Sequence, residues 1–156
     1  MSRVTGLIFD LSEVLVHWNR KELDTFLKKH ISFVRRPAAT MTLAELSRDH
    51  SLGFLSSQQF YDLAVTEITW KNPATLSYEE FRTLLRGTTT ENEGVAELLA
   101  RVRGGTAMAV ISNTNEIHWG DIGQLPLIER FFPEPGQVVL SHKVHMSKPD
   151  PQIFRE

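Results

Sequence analysis

The sequence predicts an α/β protein, a parallel sheet with a block of helices inserted after its first strand. Three short apolar runs, residues 4–9, 107–111 and 138–140, read as strands. None alternates cleanly between apolar and polar, which suits parallel strands covered on both faces. Nearly everything between the first two runs carries helix start signals and helical apolar stripes. Beyond residue 107 strand and helix alternate, the pattern of a parallel sheet built by crossover connections.

Taken in order, "VTGLIF" is the first strand and Asp10 follows it directly. The helical block comes next. A Ser or Thr followed three residues later by Glu or Gln forms a capping box that satisfies two orphan backbone donors. Thr42/Glu45, Ser56/Gln59, Ser77/Glu80 and Thr90/Glu93 match it, and Asn19/Glu22 matches more loosely. Apolar stripes at helical spacing follow: Leu23, Phe26 and Leu27; Phe60, Leu63 and Ala64; Phe81, Leu84 and Leu85. These side chains are expected to be core. Val95, Leu98, Leu99 and Val102 form a last stripe, ended by Gly104-Gly105. Pro73 and Thr88–Thr90 are expected in loops. The expected division is a core of residues 1–17 and 89–156, with a helical insertion over 18–88.

Composition limits the function. Hydrophobic residues make 41% and charged residues 23% of the chain, a globular balance. The net charge of −2 is spread along the sequence, so nucleic acid is not an expected partner. Arg35-Arg36 is too short to be a basic patch. With no cysteine there is no disulfide, thiolate chemistry or Cys-based zinc site. No apolar run reaches the length of a membrane span, and a cytoplasmic protein is expected.

In a doubly wound parallel sheet, ligands bind beyond the carboxyl ends of the strands. Three polar signals fall there: Asp10, Ser112-Asn113 in "VISNTN", and Lys148 in "SKPDPQIF". His142 and His145 lack a third metal ligand and are expected to be loop residues. His17, Trp18, His118 and Trp119 are candidates for the mouth of a pocket, with a purely structural role the equal alternative for all four.

In this order and at these strand ends, "FDLSEVLV", "ISNTN" and "SKPDPQIF" resemble the three leading motifs of the haloacid dehalogenase-like (HAD) hydrolase superfamily. The likeness covers the whole chain and is nearest to the capped branch of small phosphatases acting on sugar phosphates and similar metabolites. It implies a Rossmann-like core with a helical cap after strand one. It also implies an Asp10 nucleophile that forms an aspartyl-phosphate, with Ser112 and Lys148 anchoring phosphate. Ser112 would stand at the start of the next helix and use that helix's positive end. Asn113 would orient the nucleophile or touch substrate, Lys148 would offset negative charge, and Ser12 would line the phosphate site. Mg²⁺ would take Asp10 and the Ser12 backbone carbonyl as protein ligands.

Two departures stand out. Most phosphatases of the superfamily carry a second Asp where this chain has Ser12, and losing general acid–base help costs roughly 10²- to 10⁴-fold. A leaving group of low pKa would need that help less. The superfamily's fourth motif, an acidic pair after a further strand, is absent before Glu156, so the core is expected to be incomplete and strand one to lie at an edge. Low stability, self-association through that edge, or coverage by another chain is the expected consequence. The leading reading is a Mg²⁺-dependent phosphomonoesterase on a small phosphorylated metabolite. A non-catalytic or truncated HAD-like module is the alternative. A 2-haloacid dehalogenase ranks below both, since the Tyr usual at position 12 in that group is missing.

Overall fold

A computed structural model describes residues 4–30, 43–67 and 76–156. The Thr42 end of one expected capping box, Arg35-Arg36 and Pro73 lie outside the described residues. Three parallel strands form the main sheet in the order β1-β4-β5. They are β1 (Gly6–Phe9), β4 (Ala107–Ser112) and β5 (Val138–Leu140), the three runs expected from apolar content. Leu7 sits opposite Met108 and Ile111 opposite Val139, so Asp10 and Asn113 leave the sheet on the same side.

Between β1 and β4 come β2 (Val16–Asn19), the helices α1 (Lys21–His30), α2 (Leu43–Ser51), α3 (Ser57–Glu67) and α4 (Tyr78–Arg86), then β3 (Thr88–Glu91) and α5 (Val95–Val102). Strands β2 and β3 pair antiparallel as a separate two-stranded ribbon. The chain therefore enters and leaves the helical block through one narrow ladder. The expected boundaries at 17/18 and 88/89 fall inside it. Thr88–Thr90, expected as loop, are strand residues because β2 supplies their partners. For the same reason Thr90 does not open a capping box, and α5 begins after Gly94. Beyond β4 come α6 (Glu116–Ile122), α7 (Pro126–Phe131) and α8 (Ser141–Val144).

Two capping boxes are present as read. Ser77 and Glu80 exchange both bonds at the start of α4. Ser56 and Gln59 do the same before α3, at 2.9 and 3.2 Å. Asn19 caps α1 through the Lys21 N–H at 3.0 Å.

Two apolar clusters hold the molecule together. One gathers Leu11, Leu15, Val16, Leu99, Val110, Ile128 and Phe131 beneath the sheet, and the other lies within the helical block around Leu46, Phe60, Ala64 and Phe81. Leu98, expected in the core, is 54% exposed. Val95, Leu99 and Val102 already fill the contact face of α5, and Leu98 stands beside it. Strand β1 has no second neighbour among the described residues, which makes it the expected edge.

Candidate active site

Asp10 is the first residue past β1, and its Oδ1 lies 2.7 Å from the Nζ of Lys148. The same ammonium donates to the Ile111 carbonyl in β4 at 3.0 Å, and the Leu11 N–H donates to Asp10 Oδ1 at 2.7 Å. The chain reaches Lys148 long after leaving β5, and Asn113 fixes it there. The Asn113 amide donates to the Lys148 carbonyl at 2.9 Å and accepts from the Lys148 N–H at 2.8 Å. Asn113 thus grips the lysine's main chain, a contact its sequence position did not announce.

Ser112 lies between those two contacts. It is 1% exposed, and its Oγ has no hydrogen-bond partner. A buried hydroxyl left unpaired costs about 1–3 kcal/mol, so an empty hydroxyl here calls for an explanation. It is flanked on one side by the residue whose carbonyl holds Lys148 Nζ, and on the other by the residue that clamps the Lys148 backbone. The structure brings Asp10, Asn113 and Lys148 together from the ends of β1 and β4 and the segment well beyond β5, with Ser112 next to Asn113 at the end of β4. Half-exposed ion pairs contribute little to stability, so the Asp10–Lys148 pair does not exist to hold the fold.

The helix end expected beside Ser112 is placed differently. Helix α6 starts at Glu116, and the Asn115 side chain already accepts from the N–H groups of Ile117 and His118, both at 3.1 Å. Its positive end is capped from within. The Thr114 N–H is likewise taken, by Ser141 Oγ at 2.9 Å.

Ser12 belongs to the tight turn from Leu11 to Val16. There the Glu13 N–H reaches the Val16 carbonyl at 2.7 Å and the Val16 N–H reaches the Leu11 carbonyl at 3.1 Å, leaving the Ser12 carbonyl out. Glu13 adopts a left-handed φ of 60° at the bend, and its carboxylate holds His17 at 3.0 Å. That contact keeps the carboxyl of Glu13 below the usual carboxylate range. Asp121 pairs with Arg86 at 2.7 Å and Asp150 caps the closing 3₁₀ turn, so neither joins Asp10.

Of the four aromatic and histidine candidates, Trp18 and His118 stack with centroids 4.4 Å apart and both border a cavity of about 440 Å³. Trp119 packs against the sheet's core and His17 is exposed on Glu13, so neither lines the cavity as expected. Burial holds His118 below its usual pKa, and its Nε2 donates to the Leu85 carbonyl at 2.6 Å. His142 and His145 are structural. His142 bonds the Thr114 carbonyl from α8, and His145 bonds the Leu52 carbonyl at 2.8 Å and stacks on Phe54.

A polar cluster missed in the sequence joins the helical block to the core. Buried His50 meets Ser57 Oγ at 3.1 Å, and the Ser57 N–H donates to Glu116 at 2.6 Å. Burial lowers His50 to about 4, and hydrogen bonding from Ser57 holds the Glu116 carboxyl low. The residues are 59 apart in sequence, and no local pattern links them.

Comparison with solved structures identifies the fold. A HAD family enzyme from Bacteroides thetaiotaomicron, solved with magnesium and inorganic phosphate, superposes with a TM-score of 0.74 at 20% identity, over 98% of this chain and 76% of that one. Another structure of that enzyme gives 0.76 at 21% identity, over 99% and 76%. The chain has the HAD fold. A predicted HAD-like family hydrolase from Porphyromonas gingivalis agrees at 0.70 and 23% identity, over 99% of this chain and 74% of that one. No family model matches the sequence, and comparison with curated proteins gave no match. No helix among the described residues is long and apolar enough to cross a membrane.

Proposed function

We propose that the chain is a phosphomonoesterase that attacks its substrate with Asp10. The observation that carries this is the Asp10 carboxylate with an ammonium 2.7 Å away at the strand ends of a HAD fold, where β4 closes on a buried hydroxyl without a hydrogen-bond partner among the described residues. A bound phosphoryl group gives Ser112 Oγ the partner it lacks. Lys148 offsets the charge that accumulates when a dianionic ester approaches a carboxylate. An Asp10 oxygen forms the new bond to phosphorus as the ester P–O bond breaks, and the electron pair leaves with the alcohol oxygen. Water then attacks the aspartyl-phosphate, releasing inorganic phosphate and restoring the carboxylate. Asn113 acts through Lys148 as a positioning residue.

The relatives solved with magnesium bring that ion into the proposal. Hard oxygen donors suit it: the Asp10 carboxylate and the free Ser12 carbonyl would hold it. It would supply further neutralisation of the phosphoryl oxygens. Residues 18–88 act in this reading as a cap that chooses the substrate.

The test is phosphate release from a panel of phosphate monoesters with and without Mg²⁺. Release that depends on Mg²⁺ and falls at least about 10³-fold in Asp10→Asn is expected. Release equal in the variant, or absent from wild type, would overturn the assignment. One observation favours a second reading, a non-catalytic module. Among the described residues no group of three His, Asp or Glu stands ready for a metal. Beryllium fluoride with Mg²⁺ separates the two, since a working Asp10 site gains thermal stability on binding this phosphate mimic and a dead one does not.

A further inference from the structure

The cavity beside Trp18 and His118 lies where α1 to α4 face β2 and the start of α6. Two of its lining residues, Trp18 and Asn115, lie on the chain segments that run on from Asp10 and Ser112. Trp18 follows Asp10 through the Leu11–Val16 turn, and Asn115 stands three positions after Ser112. Its walls carry Leu23, Leu27, Phe60 and Phe81.

Most of the polar atoms at its border are already engaged. Trp18 Nε1 donates to the Arg86 carbonyl at 3.0 Å, and His118 Nε2 donates to that of Leu85. Asn115 spends its oxygen on two helix N–H groups and turns its amide nitrogen to His118 Nδ1. Arg20 is held by Asp24 at 2.9 Å. Among the described lining residues Ser47 supplies the one hydroxyl. A sugar entering this space would bury hydroxyl groups without partners, and each such group weakens binding roughly tenfold. An aromatic ring loses nothing there and gains stacking surface.

Position 12 favours a leaving group of low pKa. Serine cannot protonate a leaving group near neutral pH. An aliphatic alkoxide, whose parent alcohol has a pKa near that of water at roughly 16, departs poorly without a proton. A phenol, with a pKa of about 10 like the tyrosine side chain, departs as its anion.

We infer that the cavity takes the organic half of the substrate and selects a phosphate monoester of an aromatic alcohol, a phenol, over a sugar phosphate. The inference rests on the phosphatase reading of Asp10. The phenolate leaves with the electron pair of the broken P–O bond and takes its proton from solvent, while water regenerates Asp10 from the aspartyl-phosphate.

Four esters test it: phenyl phosphate, 2-phenylethyl phosphate, glucose 1-phosphate and glucose 6-phosphate, each with Mg²⁺. Phenyl phosphate is expected to show the highest kcat/KM, about 100-fold or more above either glucose ester. The phenylethyl ester should match its KM and lose kcat. Calorimetry adds a readout free of turnover: phenylphosphonate should bind at least about tenfold tighter than methylphosphonate. Leu27→Gln, at the half-buried edge of the wall, should erase that margin. Glucose esters turned over as well as phenyl phosphate would overturn this inference and leave the phosphatase reading standing, and so would equal binding of the two phosphonates or a margin unchanged in Leu27→Gln. No phosphate release from any of the four would overturn both.

Discussion

At the scale of single residues, the candidate site includes a lysine whose own backbone is held from another strand end. Lys148 stands outside the sheet, and the two hydrogen bonds from Asn113 fix its main chain. Each is worth about 0.5–1.5 kcal/mol net, enough to decide where an exposed loop residue rests. Asn113→Ala is expected to lower kcat for phosphate release roughly tenfold, because a misplaced charge stabilises the transition state less. The melting temperature should move only a few degrees. Asn113→Asp keeps the acceptor for the Lys148 N–H and should fall between the two. Wild-type turnover in the alanine variant would remove Asn113 from the mechanism. Asp10, Ser112 and Lys148 were legible in sequence because each follows an apolar strand or a distinctive motif. Asn113's partner was not, since a main-chain contact across 35 residues leaves no trace in side-chain pattern.

At the scale of elements, legibility followed burial. The three strands of the main sheet announced themselves as apolar runs, whereas Val16–Asn19 and Thr88–Glu91 are short, largely polar and stable only against each other. Their pairing bridges the whole helical block, and no local rule finds such a partner. Thr90/Glu93 shows the converse, a capping pattern overruled because a strand claimed its first residue. The turn between α2 and α3 was equally hidden. Gly53 there has φ 72°, and a Cβ would stand 2.1 Å from the His142 carbonyl oxygen, so the turn lies directly against α8. Ser141 Oγ completes the contact at 2.6 Å from the Ser51 carbonyl. His50 is the titratable heart of this junction, facing Ser57, Glu116 and His142. Burial depresses its folded pKa to about 4 from 6.5, so the unfolded chain binds the extra proton first. Its stabilising contribution is complete above pH 6.5 and is lost as pH falls toward 4. At 1.36 kcal/mol per pH unit that is ~3 kcal/mol, a large share of an ordinary domain's stability. Half-buried His118 and His142 shift the same way and add to the slope. Urea midpoints measured from pH 7.5 to 4 should fall steeply in wild type and less so in His50→Gln. Parallel curves would show that another group carries the acid sensitivity.

At the scale of the whole molecule, two apolar clusters are joined by a ribbon, by the polar junction at His50 and by α4 against α6, and β1 has one strand neighbour among the described residues. The cluster under the sheet contains none of the residues that form the cluster of the helical block. Strand β1 offers an unpaired edge among the described residues, and its Ile8 is 57% exposed and Val4, just before the strand, 64%. An apolar strand with free N–H and C=O groups is a template for pairing with other chains. A charge on such an edge opposes pairing and costs the fold little, since exposed substitutions usually change stability by less than about 0.5 kcal/mol. Ile8→Lys is therefore expected to raise the concentration at which light scattering first appears, several-fold, while the urea midpoint stays near wild type. Ile8 lies beside Ala109 in the sheet, so its backbone pairing with β4 is untouched by the change of side chain. If scattering begins at the same concentration in both proteins, the edge of β1 is not where these molecules meet.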